Sequence, residues 1–89
     1  MDQAQNILIV EDDVDIRSQL DEYMTQAGFR TVSVENVDKA RQAIKREDIS
    51  LVLLDLGLPG EDGLSLAREI KDENRSGLII LTGRGEVVD

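Results

Sequence analysis

The sequence predicts an α/β domain built on a doubly wound parallel β-sheet. Four short aliphatic runs, at 7–10, 31–34, 51–54 and 78–81, alternate with three stretches whose apolar residues have helical spacing. Strands alternating with helices require right-handed crossovers, which place helices on both faces of the sheet. Three of the runs are continuous, as in the centre of a parallel sheet, whereas "TVSV" (31–34) alternates, as an edge strand does.

The three helices are predicted from apolar spacing together with start and stop signals. The first spans Asp15 to Ala27 and is stopped by Gly28, the second follows the N-cap Asn36, and the third covers about 64–73. We expect their periodic apolar residues to be buried: Ile16, Leu20, Tyr23, Met24, Ala27, Ala40, Ala43, Ile44, Leu64, Leu66, Ala67 and Ile70. The final "EVVD" (86–89) predicts the first turn of a fourth helix, so we expect residues 1–89 to be a single, C-terminally truncated domain.

Composition excludes several classes of function. The 89 residues allow one small domain, and the net charge of −9 argues against a nucleic-acid or anionic membrane surface. Because the chain has no cysteine and no histidine, it offers no disulfide, thiolate or imidazole chemistry. No apolar run approaches the roughly 20 residues that span a bilayer. The start "MDQAQN" also lacks the basic region of a signal peptide, so a cytoplasmic protein is expected.

Polar residues collect at the predicted carboxyl ends of the strands. The acidic run 11–13 follows the first strand, Asp55 ends the third, and Thr82 follows the fourth. Ligands of doubly wound sheets bind at this edge, near the point where the strand order reverses. If the first and third strands are neighbours, Glu11, Asp12 and Asp55 face one another there.

This cluster predicts a site for a hard divalent cation. Three carboxylates so close repel one another, and their pKa values rise unless a cation neutralises them. Mg²⁺ takes oxygen ligands and is commonly held by one or two carboxylates plus phosphate oxygens. The alternative is that the acids are helix caps and turn residues, which accounts for Asp13 or Asp15. It does not account for Asp55 and Thr82 at the same edge.

Three segments carry a family resemblance. The motifs "ILIVEDD", "LVLLDLGLPGEDG" and "LIILTGRGE" resemble, in order and type, the response-regulator receiver domain of two-component signalling. The resemblance runs from Ile7 to the end of the chain. It implies a flavodoxin-like doubly wound sheet that is incomplete, with four strands and three helices, because the family's fifth strand and last helices are missing.

The resemblance also implies roles for individual residues. Asp55 would be the phospho-acceptor that becomes an aspartyl phosphate. Asp12 would bind Mg²⁺ directly and Glu11 through water, with Asp55 and the main-chain carbonyl of Gly57 as further ligands. Thr82 would be the switch hydroxyl that turns toward the phosphoryl oxygens, and the N–H of Gly83 would assist it. Pro59 and Gly60 would shape the loop beside the acceptor.

The resemblance further implies partners. A histidine kinase, a phosphotransfer protein or a small acyl phosphate would donate the phosphoryl group. The ending "LTGRGEVVD" is most similar to receivers that precede a winged-helix DNA-binding domain, so a transcriptional regulator is expected. The receiver itself would be no enzyme and would bind neither nucleic acid nor membrane.

Two family features are not found in the sequence. The family's fifth-strand lysine is absent, since all three lysines, Lys39, Lys45 and Lys71, fall on predicted helices, and Arg84 is expected to be solvated. Without a fifth strand, Leu78 to Thr82 would be an open edge, and we expect self-association through it.

Three other interpretations remain at this stage. A receiver-like interaction module that is never phosphorylated fits the same pattern. A phosphatase of the haloacid dehalogenase type also uses a strand-end aspartate, but it needs a second acid where this chain has Gly57. A flavin-binding protein would need a Ser- and Thr-rich loop after the first strand, where this chain has acids.

Overall fold

The computed structural model describes residues 5–56, 63–81 and 87–88. Strands and helices alternate along the chain as far as the fourth strand. In chain order the elements are β1 (Asn6–Val10), α1 (Val14–Gln26), β2 (Arg30–Val34), α2 (Val37–Arg46), β3 (Ile49–Asp55), α3 (Gly63–Glu73), β4 (Gly77–Leu81) and β5 (Val87–Val88).

The strands form one sheet in the order β2-β1-β3-β4-β5. The first four are parallel, and β5 pairs antiparallel with the end of β4. The predicted four parallel strands and three helices are therefore confirmed, with β2 at an edge as its alternating pattern indicates. Since β1 and β3 are neighbours while the chain connects them through β2, the strand order reverses between them, and the crevice expected in doubly wound sheets lies at their carboxyl ends.

The two faces of the sheet are covered unequally. One face packs against α2 and α3, and its core contains the fully buried Leu8, Val52 and Leu54. On the other face, Ile7 and Ile9 contribute to a smaller cluster that packs against α1. No residue of α1 is fully buried, so this helix is held less by apolar burial than α2 and α3 are.

The ends of the helices follow local signals. Asp13 caps α1, and its carboxylate accepts hydrogen bonds from two main-chain N–H groups of the first turn. Gly28, with φ of 99°, reverses the chain after α1 in the left-handed conformation that glycine adopts without strain. Asn36 caps α2 as predicted, and Asn74, with φ of 53°, ends α3.

Part of the core prediction is wrong. Ile16, Tyr23 and Leu64 are 45%, 69% and 53% exposed, and Ala27 is exposed as well. Helical spacing identifies a stripe of apolar residues, but burial requires a second element over that stripe. Among the described residues, α1 is the only helix on its face of the sheet, so the flanks of its stripe remain uncovered. The other periodic residues are buried or half-buried as predicted.

The prediction of a fourth helix at 86–89 is also wrong at Val87–Val88, the part of that segment that the structure describes. Val87–Val88 is extended and pairs with Ile80 and Leu81, so the position beside β4 is taken by a short antiparallel strand. Two adjacent β-branched residues favour extended backbone, and an unpaired edge offers them hydrogen-bonding partners. The predicted open edge is thus covered over two residues of β4. No described helix is long and apolar enough to cross a membrane.

Candidate metal and phosphoryl site

The register of the sheet brings the predicted acids together. Val10 lies beside Leu54 in the parallel pair of β1 and β3, so the residues that follow them, Glu11 and Asp55, are also neighbours. The N–H of Glu11 donates to the carbonyl of Val34 (3.0 Å), which extends the pairing with β2 by one residue. The main chain of Glu11 is therefore hydrogen-bonded to β2, while its place in the register puts it next to β3.

Glu11, Asp12 and Asp55 form one acidic cluster. Each offers a carboxylate oxygen, and the three oxygens lie within 4.8 Å of one another. Ligand oxygens around one Mg²⁺ are about 3–4 Å apart, since Mg–O distances are about 2.0–2.1 Å in an octahedron. Small side-chain rotations would bring all three oxygens onto one ion, or leave a water between the ion and one of them. The donor set, all carboxylate oxygen, is the kind that a hard divalent cation prefers.

The cluster is electrostatically strained without a cation. Glu11 is only 4% exposed, and burial is the main reason that its pKa rises from 4.5 to about 7. The main-chain N–H of Asp13 lowers this pKa, while hydrogen bonding and repulsion from Asp55, and hydrogen bonding from Asp12, raise it further. A bound cation would favour the ionised form of Glu11, so metal binding and proton release are coupled.

The neighbouring acid Asp13 has a structural task. Its Oδ1 accepts hydrogen bonds from the N–H groups of Asp15 (2.9 Å) and Ile16 (3.1 Å), and its own N–H donates to Glu11 Oε2 (3.1 Å). The expectation that a helix cap accounts for Asp13 is thus confirmed. The cap leaves Glu11 and Asp12 for the cluster.

Arg17 also contacts the site, and the sequence did not single it out. Its Nη1 donates to the main-chain carbonyl of Glu11 (2.9 Å), which ties the first turns of α1 to the end of β1. In the sequence, Arg17 is a single basic residue shortly after a run of acids. Such residues are common on helix surfaces, so this pattern does not by itself indicate a contact with the site.

The end of β3 is held in a comparable way. The N–H of Leu56 donates to the carbonyl of Leu81 (3.1 Å), so the β3–β4 pairing continues past Asp55. Gly63 is buried at the start of α3, where an added Cβ would lie 3.2 Å from a Leu56 side-chain carbon. Asp55 therefore stands between a strand pair and a closely packed helix start, and it is half-buried.

The remaining predicted site residues lie outside the described part of the chain. These are Gly57, Pro59, Gly60, Thr82, Gly83 and Arg84. The lysines are on helices as predicted: Lys39 and Lys45 on α2 and Lys71 on α3. Lys39 pairs with Glu35 (2.6 Å) on an exposed surface.

Comparison with known families identifies the domain. The profile of the response regulator receiver domain matches residues 7–89. This chain belongs to the response regulator receiver family. Its flavodoxin-like α/β fold and the resemblance seen in the three motifs are confirmed, and receiver domains belong to two-component systems.

Two curated relatives are transcriptional regulatory proteins. The chain is 41% identical to GltR of Pseudomonas aeruginosa over 97% of its length, and 33% identical to TorR of Escherichia coli over 94%. It spans 37% and 36% of those two proteins, little more than a third of their length.

Solved structures agree with the fold. TrrA of Thermotoga maritima, in complex with Mg²⁺ and BeF, is 33% identical with a TM-score of 0.80, over 88% of this chain and 69% of that one. A response regulator from Burkholderia pseudomallei, with a phosphorylated aspartic acid, a calcium ion and citrate, is 25% identical with a TM-score of 0.82, over 89% of this chain and 47% of that one.

Proposed function

We propose that residues 1–89 are a phospho-acceptor receiver domain of a two-component response regulator, and that Asp55 is phosphorylated with Mg²⁺ as cofactor. The observation that carries the proposal is the cluster of Glu11, Asp12 and Asp55 at the switch point of the sheet. The receiver family match and the Mg²⁺-bound relative from Thermotoga maritima support it.

The described residues explain how the acceptor would be presented. The pairing past the end of β3 and the packing at the start of α3 hold the Asp55 main chain, which would help to present its carboxylate for in-line attack. Glu11 and Asp12 lie beside it and would be ligands of the ion. A bound Mg²⁺ would neutralise charge on the phosphoryl oxygens and on the three carboxylates.

Phosphoryl transfer is balanced by one bond formed and one broken. A carboxylate oxygen of Asp55 forms a bond to phosphorus while the P–N bond to the imidazole of a histidine kinase or phosphotransfer protein breaks. The freed imidazole nitrogen takes a proton from water. These 89 residues contain no histidine, so the phosphohistidine would come from outside them. A small acyl phosphate could replace it.

Three residues outside the described ranges complete the proposal. Thr82 would turn its hydroxyl to the phosphoryl oxygens and the N–H of Gly83 would assist, while the carbonyl of Gly57 would be a metal ligand. Replacing Thr82 with alanine should leave phosphorylation possible and uncouple it from conformational change. Amide spectra recorded before and after phosphorylation would show this as a smaller set of shifted residues than in the wild type.

We further propose that the receiver comes from a cytoplasmic transcriptional regulator whose output lies in another domain. The relatives named above are transcriptional regulatory proteins, of which this chain matches about a third. The domain itself would have no enzymatic activity of its own and would not bind DNA directly, in keeping with its net charge of −9. A second copy would be a further partner, through the part of β4 that β5 leaves unpaired.

Intact-mass spectrometry tests the proposal. Incubation with acetyl phosphate and Mg²⁺ should add one phosphoryl group to the wild type and none to Asp55→Asn, because an amide is no comparable nucleophile. Asp72→Asn, at an exposed position of α3, is the matched control and should be labelled like the wild type. An unlabelled wild type would favour the alternative, an interaction module that is not phosphorylated.

A further inference from the structure

Helix α1 lacks the apolar anchoring of the other two helices. None of its residues is fully buried, and its half-buried Leu20 and Met24 pack against Ile7, Ile9 and Leu53 of the sheet. Such partial burial fixes the distance of a helix from a sheet better than its angle, since apolar contacts have no preferred direction. Directional hydrogen bonds to α1 can therefore add to what its apolar contacts determine.

A polar cluster joins α1 to the edge strand β2. Asp21, in the middle of α1, accepts hydrogen bonds from Thr31 Oγ1 on Oδ1 (2.8 Å) and from Ser33 Oγ on Oδ2. Thr25 Oγ1, one turn further along α1, also donates to Oδ1 (3.2 Å). Both carboxylate oxygens are thereby engaged, and the two donors on β2 are two residues apart on one face of the strand. We call Asp21, Thr25, Thr31 and Ser33 the α1–β2 clamp.

The charge of Asp21 strengthens this clamp. Hydrogen bonds that involve an ionised partner are roughly twice as strong as neutral ones. The hydrogen bond from Ser33 is the largest cause that holds the pKa of Asp21 below its usual value, with Thr31 and Thr25 adding to it against the effect of burial. The carboxylate is therefore ionised wherever the domain is folded near neutral pH.

Both ends of the acidic segment 11–13 are held by the elements that the clamp joins. On one side, the N–H of Glu11 donates to the carbonyl of Val34 at the end of β2. On the other, Asp13 caps α1, and Arg17 of α1 donates to the carbonyl of Glu11. A rotation of α1 relative to β2 would displace residues 11–13 directly.

We propose that Asp21 is a positioning residue for the acidic cluster: the register of β1 and β3 makes Glu11 and Asp55 neighbours, and Asp21, by fixing the direction of α1 against β2, holds the segment 11–13 so that its carboxylates stay in the cluster. The proposal rests on the proposed function in so far as the cluster binds Mg²⁺. It assigns to a side chain in the middle of α1, outside the cluster, an effect on the metal site.

Two variants weaken the clamp to different degrees. Ser33→Ala removes one donor and leaves the carboxylate, whereas Asp21→Asn keeps the shape of the side chain and removes its charge. Glu22→Gln is the matched control, since it makes the same change one residue further along α1 at an exposed position. Urea unfolding of each variant gives the fraction folded, so that all comparisons are made on folded protein.

The first readout needs no metal. Amide NMR of the metal-free variants should show shifts at residues 11–13 as well as along α1 and β2, and Glu22→Gln should shift only its own neighbours. The second readout is Mg²⁺ affinity. Replacing a residue that hydrogen-bonds directly to a metal ligand typically lowers metal affinity about 10- to 100-fold. Replacing Asp21, which acts one step further away, should lower Mg²⁺ affinity about 3- to 10-fold.

The results separate this inference from the proposed function. Shifts at 11–13 in both clamp variants, with weaker Mg²⁺ binding, are the expected outcome. If the wild type binds no Mg²⁺, the proposed function fails, and the metal-free shifts still decide whether the clamp positions residues 11–13. If Asp21→Asn does not fold, Ser33→Ala alone decides. Shifts confined to residues 18–34 in the folded variants, with residues 11–13 unchanged, would overturn the proposal.

Discussion

Replacing Glu11 with glutamine should change how the stability of the metal-free domain depends on pH. In the folded state burial and the neighbouring acids raise the pKa of Glu11 to about 7, against 4.5 in an exposed glutamate. Between these two values the folded state holds a proton that the unfolded state has released. Unfolding is then favoured as pH rises, so the free energy of unfolding falls through this window and levels off above it.

The size of the effect follows from the shift. One pKa unit corresponds to about 1.36 kcal/mol, so the raised pKa implies a loss of about 2–3 kcal/mol between pH 5 and pH 8. That is a large share of the roughly 5–15 kcal/mol that stabilises a typical domain. Asp21 has a lowered pKa and acts in the opposite direction: its contribution is present above its ordinary value of 3.8 and is lost as pH falls below that value. The pH range in which Asp21 affects stability therefore lies below the range in which Glu11 does.

Urea unfolding followed by circular dichroism, in a chelator and at several pH values, measures this dependence. The wild type should lose stability as pH rises from about 5 to about 8, and Glu11→Gln, which cannot ionise, should lose much less. Added Mg²⁺ should restore the wild type at the high end by binding the folded state, and it should restore the variant less. Glu22→Gln, exposed on α1, should follow the wild type. A wild-type profile that is flat or rises over this range, parallel to that of Glu11→Gln, would refute the reasoning.

Three further predictions follow from the fold and the site. Mg²⁺ titration should shift the amides of residues 11–13 and 55–56 locally, and no shift at millimolar Mg²⁺ would rule out a metal site there. Leu54→Ala, at a fully buried position, should lower the free energy of unfolding in urea by about 2–5 kcal/mol. Leu64→Ala, at a residue 53% exposed, should change it by no more than about 0.5 kcal/mol. Similar losses in the two variants would contradict the assigned core. The 89-residue chain should self-associate in sedimentation equilibrium, because the outer side of β4 before Ile80 has no paired strand among the described residues. A wild type that sediments as a monomer with sharp amide lines would count against this prediction.

The strands and the acidic cluster could be predicted because short-range patterns determine them. A continuous aliphatic run followed by an acid predicts a strand and places the acidic residue at the carboxyl end of that strand. Once strands are parallel, their carboxyl ends must meet at one edge of the sheet. The proximity of Glu11, Asp12 and Asp55 was predicted on the condition that the first and third strands are neighbours, and the structure meets that condition and brings the three acids together.

Local patterns could not predict which elements pack on the faces and edge of the sheet, and therefore which side chains are buried. The stripe on α1 has the same spacing as a buried one, yet Tyr23 is 69% exposed because burial depends on which elements pack beside the helix. The assignment of 86–89 failed for a related reason, since an edge strand that offers hydrogen bonds outweighed weak helical signals at Val87–Val88. The α1–β2 clamp was missed because its members on α1 and β2 meet only in three dimensions.

Locating the phosphoryl group within the chain tests the central claim most directly. An acyl phosphate on aspartate is reduced by borohydride to a stable alcohol, which marks the modified residue for peptide mass spectrometry. After treatment with acetyl phosphate and Mg²⁺, the account predicts the reduced residue at Asp55 alone, no mark when Mg²⁺ is chelated, and no mark in Asp55→Asn. A mark at another acid, or one that persists in Asp55→Asn, would contradict it.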